Sequence, residues 1–479
     1  MNTRPSPDSL PAAGRADQAA WLASHEEGYE QTLKPRQVQM IAIGGAIGTG
    51  LFLGAGARLQ LAGPALALVY LVCGGFSFLI LRALGELVMY RPSSGSFVSY
   101  AREFFGEGGS FVAGWMYYLN WAMTGIVDIT AVALYMRYWG TFADVPQWLF
   151  ALGALGFVGA MNMLAVRWFG ELEFWFSLIK VAALVLFLVI GTLILLTGHA
   201  VAGSNPGLHL LAAHGGWFPH GILPAVIIVQ GVLFAYAGVE LIGIAAGEAQ
   251  NPRQVLPSAI NGVMWRIGLF YVGAVLLLVL ILPWNAYRPG VSPFVTFFGA
   301  LGVPGIGTAM NLVVLTAALS SLNSGLYSTG RVLRSLAMGG SAPAFVGRMN
   351  AQNVPYGGIL VTLVVEVAGV VLNYLVPSRV FEIVLNIASL GVISTWGIIV
   401  LCQMRLRHAQ DRGEIQRIDF RLPGAPFTAW ASLAFLLSVL VLMALDYPEG
   451  TYTILAIPVV VLALVLGWRL RPAGATISA

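Results

Sequence analysis

Long apolar runs alternate with short polar connectors from about residue 38 to about residue 469. A run of ~20 residues, as a helix, crosses the ~30 Å hydrocarbon core of a bilayer. Twelve such runs are legible, at roughly 38–59, 63–90, 111–138, 146–167, 173–197, 220–246, 261–283, 305–337, 356–377, 380–404, 427–446 and 451–469. Backbone groups in lipid must pair within their own segment, which helices achieve. The alternating segments of a barrel are missing from the pattern. The expected fold is therefore an all-α polytopic membrane protein with about twelve transmembrane helices. The membrane domain is expected over residues 34–471, between a polar tail at 1–33 and a short tail at 472–479. The first tail has no basic region running into a short apolar one, so it reads as a mostly disordered segment rather than a cleavable signal. An amphipathic piece is expected near residues 17–30.

Composition supports this reading. The chain is 58% hydrophobic and 10% charged, with a mean hydropathy of +0.81, whereas soluble chains are roughly 25% charged. A formal charge of +4 would suggest nucleic acid in a soluble chain, but here the arginines stand between apolar runs. With the N-terminus inside, 20 of the 25 Lys and Arg residues fall on the cytoplasmic side. Only Arg58, Arg137, Arg288 and Arg379 fall outside, and Lys180 falls within a run. That asymmetry predicts both termini in the cytoplasm. Cys73 and Cys402 are far apart and form no disulfide or metal pattern. His199, His209, His214 and His220 share an outer loop but match no zinc spacing, so the loop reads as solvated. The basic stretch 405–426 is expected to set orientation and to meet anionic lipid headgroups.

The first run contains GGAIGTGLFLGAG at 44–56, six glycines in thirteen residues. Each glycine weakens a helix by about 1 kcal/mol relative to alanine. A phosphate loop does not fit, since the spacing is wrong and no strand precedes it. Small-residue helix packing would use Gly50 and Gly54 alone. An unwound helix uses the whole cluster: Gly44, Gly45, Gly48 and Gly50 would let the chain leave helical geometry in mid-membrane. Such a break is tolerated where it lines a cavity, and its freed N–H groups suit a carboxylate. A partner break is expected in the sixth run, VLFAYAGVELIGIAAGEAQNP, which carries Gly238, Gly243, Glu240 and Glu248. A mid-membrane glutamate points to function.

The stretches IGGAIGTGLFLGAG, RPSSGSFVSYAREFFG, GELEFWFSLIKV, FAYAGVELIGIAAGE and SSLNSGLYSTGRVLRSLA resemble the amino-acid permeases of the amino acid–polyamine–organocation superfamily over about residues 30–470. NWAMTGIVDIT, SPFVTFF and VPYGGIL are most similar to the asparagine-transporting branch of that family. The resemblance implies a leucine-transporter-like fold. Two inverted repeats of five helices, at about 38–197 and 220–404, would have helices 1 and 6 broken, with two further helices at about 427–469. It also implies proton-driven amino-acid uptake across a bacterial inner membrane, with no cofactor and no metal.

Under that reading the substrate meets N–H groups of Gly48, Thr49 and Gly50 through its carboxylate. Its ammonium meets carbonyls near Ile43, Phe234 and Ala235, with Phe234 a candidate gate. Lys180 stands where the family implies a proton-exchanging lysine, although a static ion pair is the alternative. Glu240 is expected to touch substrate or proton, and Glu248 to meet water or an arginine. Asp128 and Thr124 share one helical face. Asp128 either sets substrate choice or the proton path, or packs against a polar neighbour near the outer surface. Ser320, Ser321, Asn323, Asn386 and Ser389 either line the side-chain pocket or bond between helices. Arg82 and Glu86, four apart, are expected to pair, and Glu366 has no assigned role. An exchanger, a polyamine carrier, a nutrient sensor and a membrane enzyme are the competing readings. Lys180 offsets Asp128 and Glu240, which favours a neutral zwitterion such as asparagine, glutamine, glycine or 4-aminobutyrate. No histidine lies within a run beyond His220 at the very edge of one, and no HExxH or GxSxG occurs, which disfavours an enzyme.

Overall fold

The computed structural model describes Arg36, Met40 and residues 47–471 apart from 94, 164–165 and 246–251. Ile43, Gly44, Gly45, Glu248 and both expected tails lie outside the described residues. Among the described residues no strand occurs, and one β-bridge, Val201–Ser204, sits in a loop.

The principal helices are α1 (Thr49–Phe52), α2 (Gly54–Ala62), α3 (Leu66–Tyr90), α4 (Ser96–Met136), α5 (Gln147–Asn162) and α6 (Val166–Thr197). They continue with α7 (Ile222–Phe234), α8 (Leu241–Ala245), α9 (Leu256–Ile281), α10 (Pro293–Ala300) and α11 (Ile306–Met338). The last four are α12 (Tyr356–Leu375), α13 (Val380–Asp411), α14 (Phe427–Leu445) and α15 (Glu449–Leu470). Among the described residues nine stretches are long and apolar enough to cross a membrane, one of them running through α2 and α3 together. The apolar helices α5 and α7 are shorter.

Most boundaries fall within a few residues of the hydropathy reading. The largest departure is α4, which starts at Ser96 rather than near 111 and bends at Gly106, where φ is +73°. The segment SFVSYAREFF is too polar to register as a span, yet it buries Phe97, Val98, Tyr100 and Ala101. Glycine lets the chain turn at 106 without a Cβ clash. Helix α4 forms the centre of the molecule, packed most extensively against α13 and α11. Its apolar stretch is 78% buried, whereas that of α15 is 6% buried, which places α15 on the lipid-facing rim.

One end of the bundle is tied by arginines. Glu86 on α3 accepts two bonds from Arg407 at 2.9 and 3.1 Å, one from Gln403 at 2.9 Å and one from the Leu422 N–H at 2.9 Å. The expected Arg82–Glu86 pair is therefore replaced. Arg407 presents a planar fork that matches the carboxylate. Arg82 instead donates to Asn261 at 2.7 Å and to the Arg421 carbonyl, and lies 3.8 Å over the Phe420 ring. The basic stretch 405–426 thus continues α13 to Asp411 and then folds back onto α3 and α9.

At the opposite end Arg58 of α2 is buried. It donates to the Gly54 carbonyl at 2.6 Å and meets Glu382 of α13 at 3.5 Å. Gln230 of α7 donates to Asp446 in the α14–α15 turn.

Candidate functional site

Both expected interruptions have described parts. Gly48 is extended, with φ −129° and ψ −160°, and α1 begins only at Thr49. A helix start leaves its first N–H groups without acceptors in their own helix. The Gly48 carbonyl accepts from Phe52 at 3.2 Å, which begins the new ladder. On the other side, α7 ends at Phe234 and regular helix resumes at Leu241. Between them the chain makes successive tight turns, with Gly238 at φ +97°.

The two interruptions touch. A Cβ placed on Gly50 would lie 2.6 Å from the Ala235 Cα. This corrects one reading of the glycine cluster. Gly50 is helical, and what its missing side chain permits is close approach to the second break. Gly56 acts similarly, since a Cβ there would meet the Val291 and Arg288 carbonyls at 2.7 and 2.8 Å.

Polar side chains gather around this contact. Thr49 donates its hydroxyl to Asp128 at 2.8 Å, and both residues are buried. Asp128 therefore faces the first break rather than a surface neighbour. Thr124, one turn away on α4, donates to the Asn120 carbonyl at 2.8 Å. Glu240 accepts from the Gly238 N–H at 3.1 Å and from the Trp396 indole at 3.2 Å, so it braces the second bend against α13.

Of the carbonyls named as ammonium acceptors, that of Ile43 lies outside the described residues, and those of Phe234 and Ala235 each accept a bond. The Phe234 carbonyl accepts from the Ala237 N–H at 2.9 Å, and the Ala235 carbonyl accepts from the Tyr271 hydroxyl at 3.2 Å. A carbonyl has two lone pairs, so each retains capacity. Tyr271 lies in a π-helical turn, Ile267–Gly273, inside α9. Such turns re-aim side chains, and this one also stacks the Tyr271 ring on Tyr236 at 4.6 Å.

Lys180 is buried on α6 and donates to Ser320 of α11 at 3.0 Å. Ser320 donates to Glu173 at 2.8–2.9 Å, and the ammonium lies 3.8 Å from that carboxylate. Ser177 adds a bond to Glu173 at 3.1 Å. Glu173 lies within GELEFWFSLIKV and is a site residue with no role assigned from the sequence. Its signal was available, because positions 173, 177 and 180 share one helical face. Trp396 and Tyr271 carried no comparable signal.

Other expected residues lie elsewhere. The Asn323 carbonyl oxygen accepts from Asn162 at 2.7 Å, which links α11 to α5. Ser389 bonds back to the Leu385 carbonyl at 3.0 Å, and Asn386 is buried on the same helix. Glu366 is fully buried against Gly125 of α4. Among the described residues neither of its oxygens has a hydrogen-bond partner. His214 and His220 each bond a backbone carbonyl, of Leu210 and Leu61 respectively. A cavity of about 300 Å³ opens at the Met136 end of α4, lined by Tyr135, Tyr138, Ser292 and Asn311 among others.

Comparison with known proteins agrees with this architecture. The amino acid permease family model matches residues 37–470. The chain is 68% identical to the L-asparagine permease of Salmonella typhimurium, over 95% of this chain and 92% of that protein. It is 68% identical to the L-asparagine permease of Escherichia coli, over 94% and 90% respectively. Against the L-asparagine permease of Streptomyces coelicolor it is 59% identical, over 92% and 91%. Together with the apolar helices, these matches make the chain a multi-pass membrane transporter rather than an enzyme. The protein belongs to the amino acid permease family.

Proposed function

We propose that this permease imports L-asparagine in symport with protons, by alternating access. The observation that carries the substrate is 68% identity over 95% of the chain to a protein named L-asparagine permease. The geometry suits a zwitterion. N–H groups of Gly48, Thr49 and Gly50 at a half-helix start receive the carboxylate. Carbonyls of Ile43, Phe234 and Ala235 receive the ammonium. Thr124 and Asp128 contribute the polar wall around the side chain, and Glu240 holds the second bend in place.

Lys180 and Glu240 are the groups we assign to proton exchange. A buried charge is expensive unless paired, so changes in protonation there bias the conformation. We take the fold to be twelve membrane helices. Two inverted repeats of five would be interrupted at α1 and between α7 and α8, with α14 and α15 added. The excess of arginine between the apolar runs on one side supports a cytoplasmic position for that side and for both termini, with the protein in a bacterial inner membrane.

The test is uptake into proteoliposomes with an imposed proton gradient, using labelled asparagine, glutamine, glycine and 4-aminobutyrate. Concentrative, saturable asparagine uptake that collapses with the gradient is expected. Gradient-independent uptake, or counterflow alone, would replace the symporter with an exchanger.

A further inference from the structure

We infer that Glu173 is the proton partner of Lys180, reached through the hydroxyl of Ser320, so that Lys180–Ser320–Glu173 forms a three-member proton relay between α6 and α11. The inference rests on the proton-symport reading above and names the route that reading lacks.

The geometry is that of a relay. Lys180 Nζ donates to Ser320 Oγ at 3.0 Å, and Ser320 Oγ donates to the Glu173 oxygens at 2.9 and 2.8 Å. The direct Nζ–Oε1 separation is 3.8 Å, too long for a good hydrogen bond. The hydroxyl is therefore the short path. Both charged side chains are almost wholly shielded, at 1% and 0% exposed. A hydroxyl both donates and accepts, so a concerted shift is balanced. One Lys180 N–H bond breaks as its proton binds Ser320 Oγ. The Ser320 O–H bond breaks as its hydrogen binds Glu173. An ammonium and a carboxylate become an amine and a carboxylic acid, and no electron changes hands.

The relay also joins the two breaks' surroundings to one side of the membrane. Lys180 lies within electrostatic reach of Asp128, which Thr49 ties to the first break. Glu173 is rooted seven residues before Lys180, about 10 Å nearer the start of α6, the end read as cytoplasmic. A side-chain rotation of protonated Glu173 carries the proton toward that end. Neutralising both partners at once removes the burial cost that an isolated charge would incur. The uncoupled state therefore needs no unpaired ion.

The experiment uses the full chain in proteoliposomes and reads a ratio: asparagine accumulation driven by a proton gradient, divided by asparagine counterflow without one. Glu173→Gln is expected to lower this ratio by about tenfold, within the usual span of coupling energies, and to flatten its dependence on external pH. Ser320→Ala keeps both charged groups and is expected to lower the ratio in the same direction, with Ser320→Thr restoring it. If Glu173→Gln does not reach the membrane, the Ser320 pair decides. A wild-type ratio in Glu173→Gln or Ser320→Ala, or equal loss of both activities, makes Glu173 a structural counter-ion and overturns the relay while leaving proton symport intact. A wild-type protein with no gradient-driven accumulation overturns both.

Discussion

Thr49 hands its hydroxyl hydrogen to Asp128 across 2.8 Å, joining the first residue of α1 to the middle of α4. The bond spans 79 residues of chain and lies within the buried centre. It anchors the start of α1 to the central helix. Thr49→Ala is expected to weaken asparagine binding by about tenfold, since a buried hydrogen bond to a charged group is worth about 1.5–3 kcal/mol. Thr49→Ser keeps the hydroxyl and should bind nearly as the parent does. Substrate-dependent thermal protection of the purified protein separates the two outcomes.

Gly50 has no room for a side chain. Alanine there would press its Cβ to 2.6 Å from the Ala235 Cα and 3.0 Å from the Ala235 Cβ, and backbone cannot step aside as a side chain can. Gly50→Ala should destabilise the protein by about 1–3 kcal/mol and abolish most uptake. The control is Gly75→Ala on α3, where nothing lies within 4 Å. Uptake and thermal stability of that variant should stay close to the parent.

How far the site was legible follows from these residues. The irregular turns at 235–240 and the helix start at Thr49 fall where the sequence pointed, because glycine clusters and acids inside apolar runs are rare and expensive in a membrane. The purpose of each glycine could not. Unwinding at Gly48 and close packing at Gly50 call for the same residue. Lys180 stands out as a charge in an apolar run, but the sequence names no partner for it, and the carboxylate beside it is Glu173 of its own helix. Trp396 and Tyr271 belong to a crowd of aromatics whose contacts depend on tertiary placement. Glu86 shows the opposite error: a local neighbour at i−4, Arg82, lost to a distant bidentate fork, Arg407.

That fork supports a prediction. Removing the Glu86 carboxylate strands Arg407, Gln403 and the Leu422 N–H together. Glu86→Ala should therefore cost about 3 kcal/mol, read as a lowered melting temperature. Glu86→Gln keeps one acceptor and should fall between Glu86→Ala and the parent.

Glu366 predicts a gain. Its two oxygens lack partners among the described residues, and one lies where a Cβ on Gly125 would approach within 1.9 Å. An apolar group of similar shape avoids the cost of burying an unpaired polar group. Glu366→Leu should raise stability by about 1–3 kcal/mol in thermal unfolding, with asparagine uptake preserved.

Asp446 introduces a pH dependence at the end opposite the arginine knot. Burial holds its carboxyl above the ordinary range, and Glu449 and Glu382 add to that, while Arg58 and the Gln230 amide oppose it. A carboxyl raised on folding binds its proton more tightly folded than unfolded. Its contribution to stability is thus present at acid pH and is lost as pH rises through the raised value. Asp446→Asn should gain stability relative to the parent as pH rises through the interval that starts at the ordinary aspartate value of about 4. A constant difference in melting temperature across that interval would contradict the assignment.

Arg58 gives the interrupted helices a mechanical property. Its guanidinium lies across Gly231 of α7, where a Cβ would sit 2.1 Å from Nη2, while Nη1 grips the Gly54 carbonyl of its own helix. Eight residues earlier Gly50 is locked against Ala235. The half-helices are meshed at two levels, at Ala235 and at Gly231, about 6 Å apart along the second segment. Two contacts at that separation resist both sliding and tilting. The α1–α2 segment and α7 therefore behave as one lever arm, and a displacement begun at the Thr49 end arrives at Arg58 without slack.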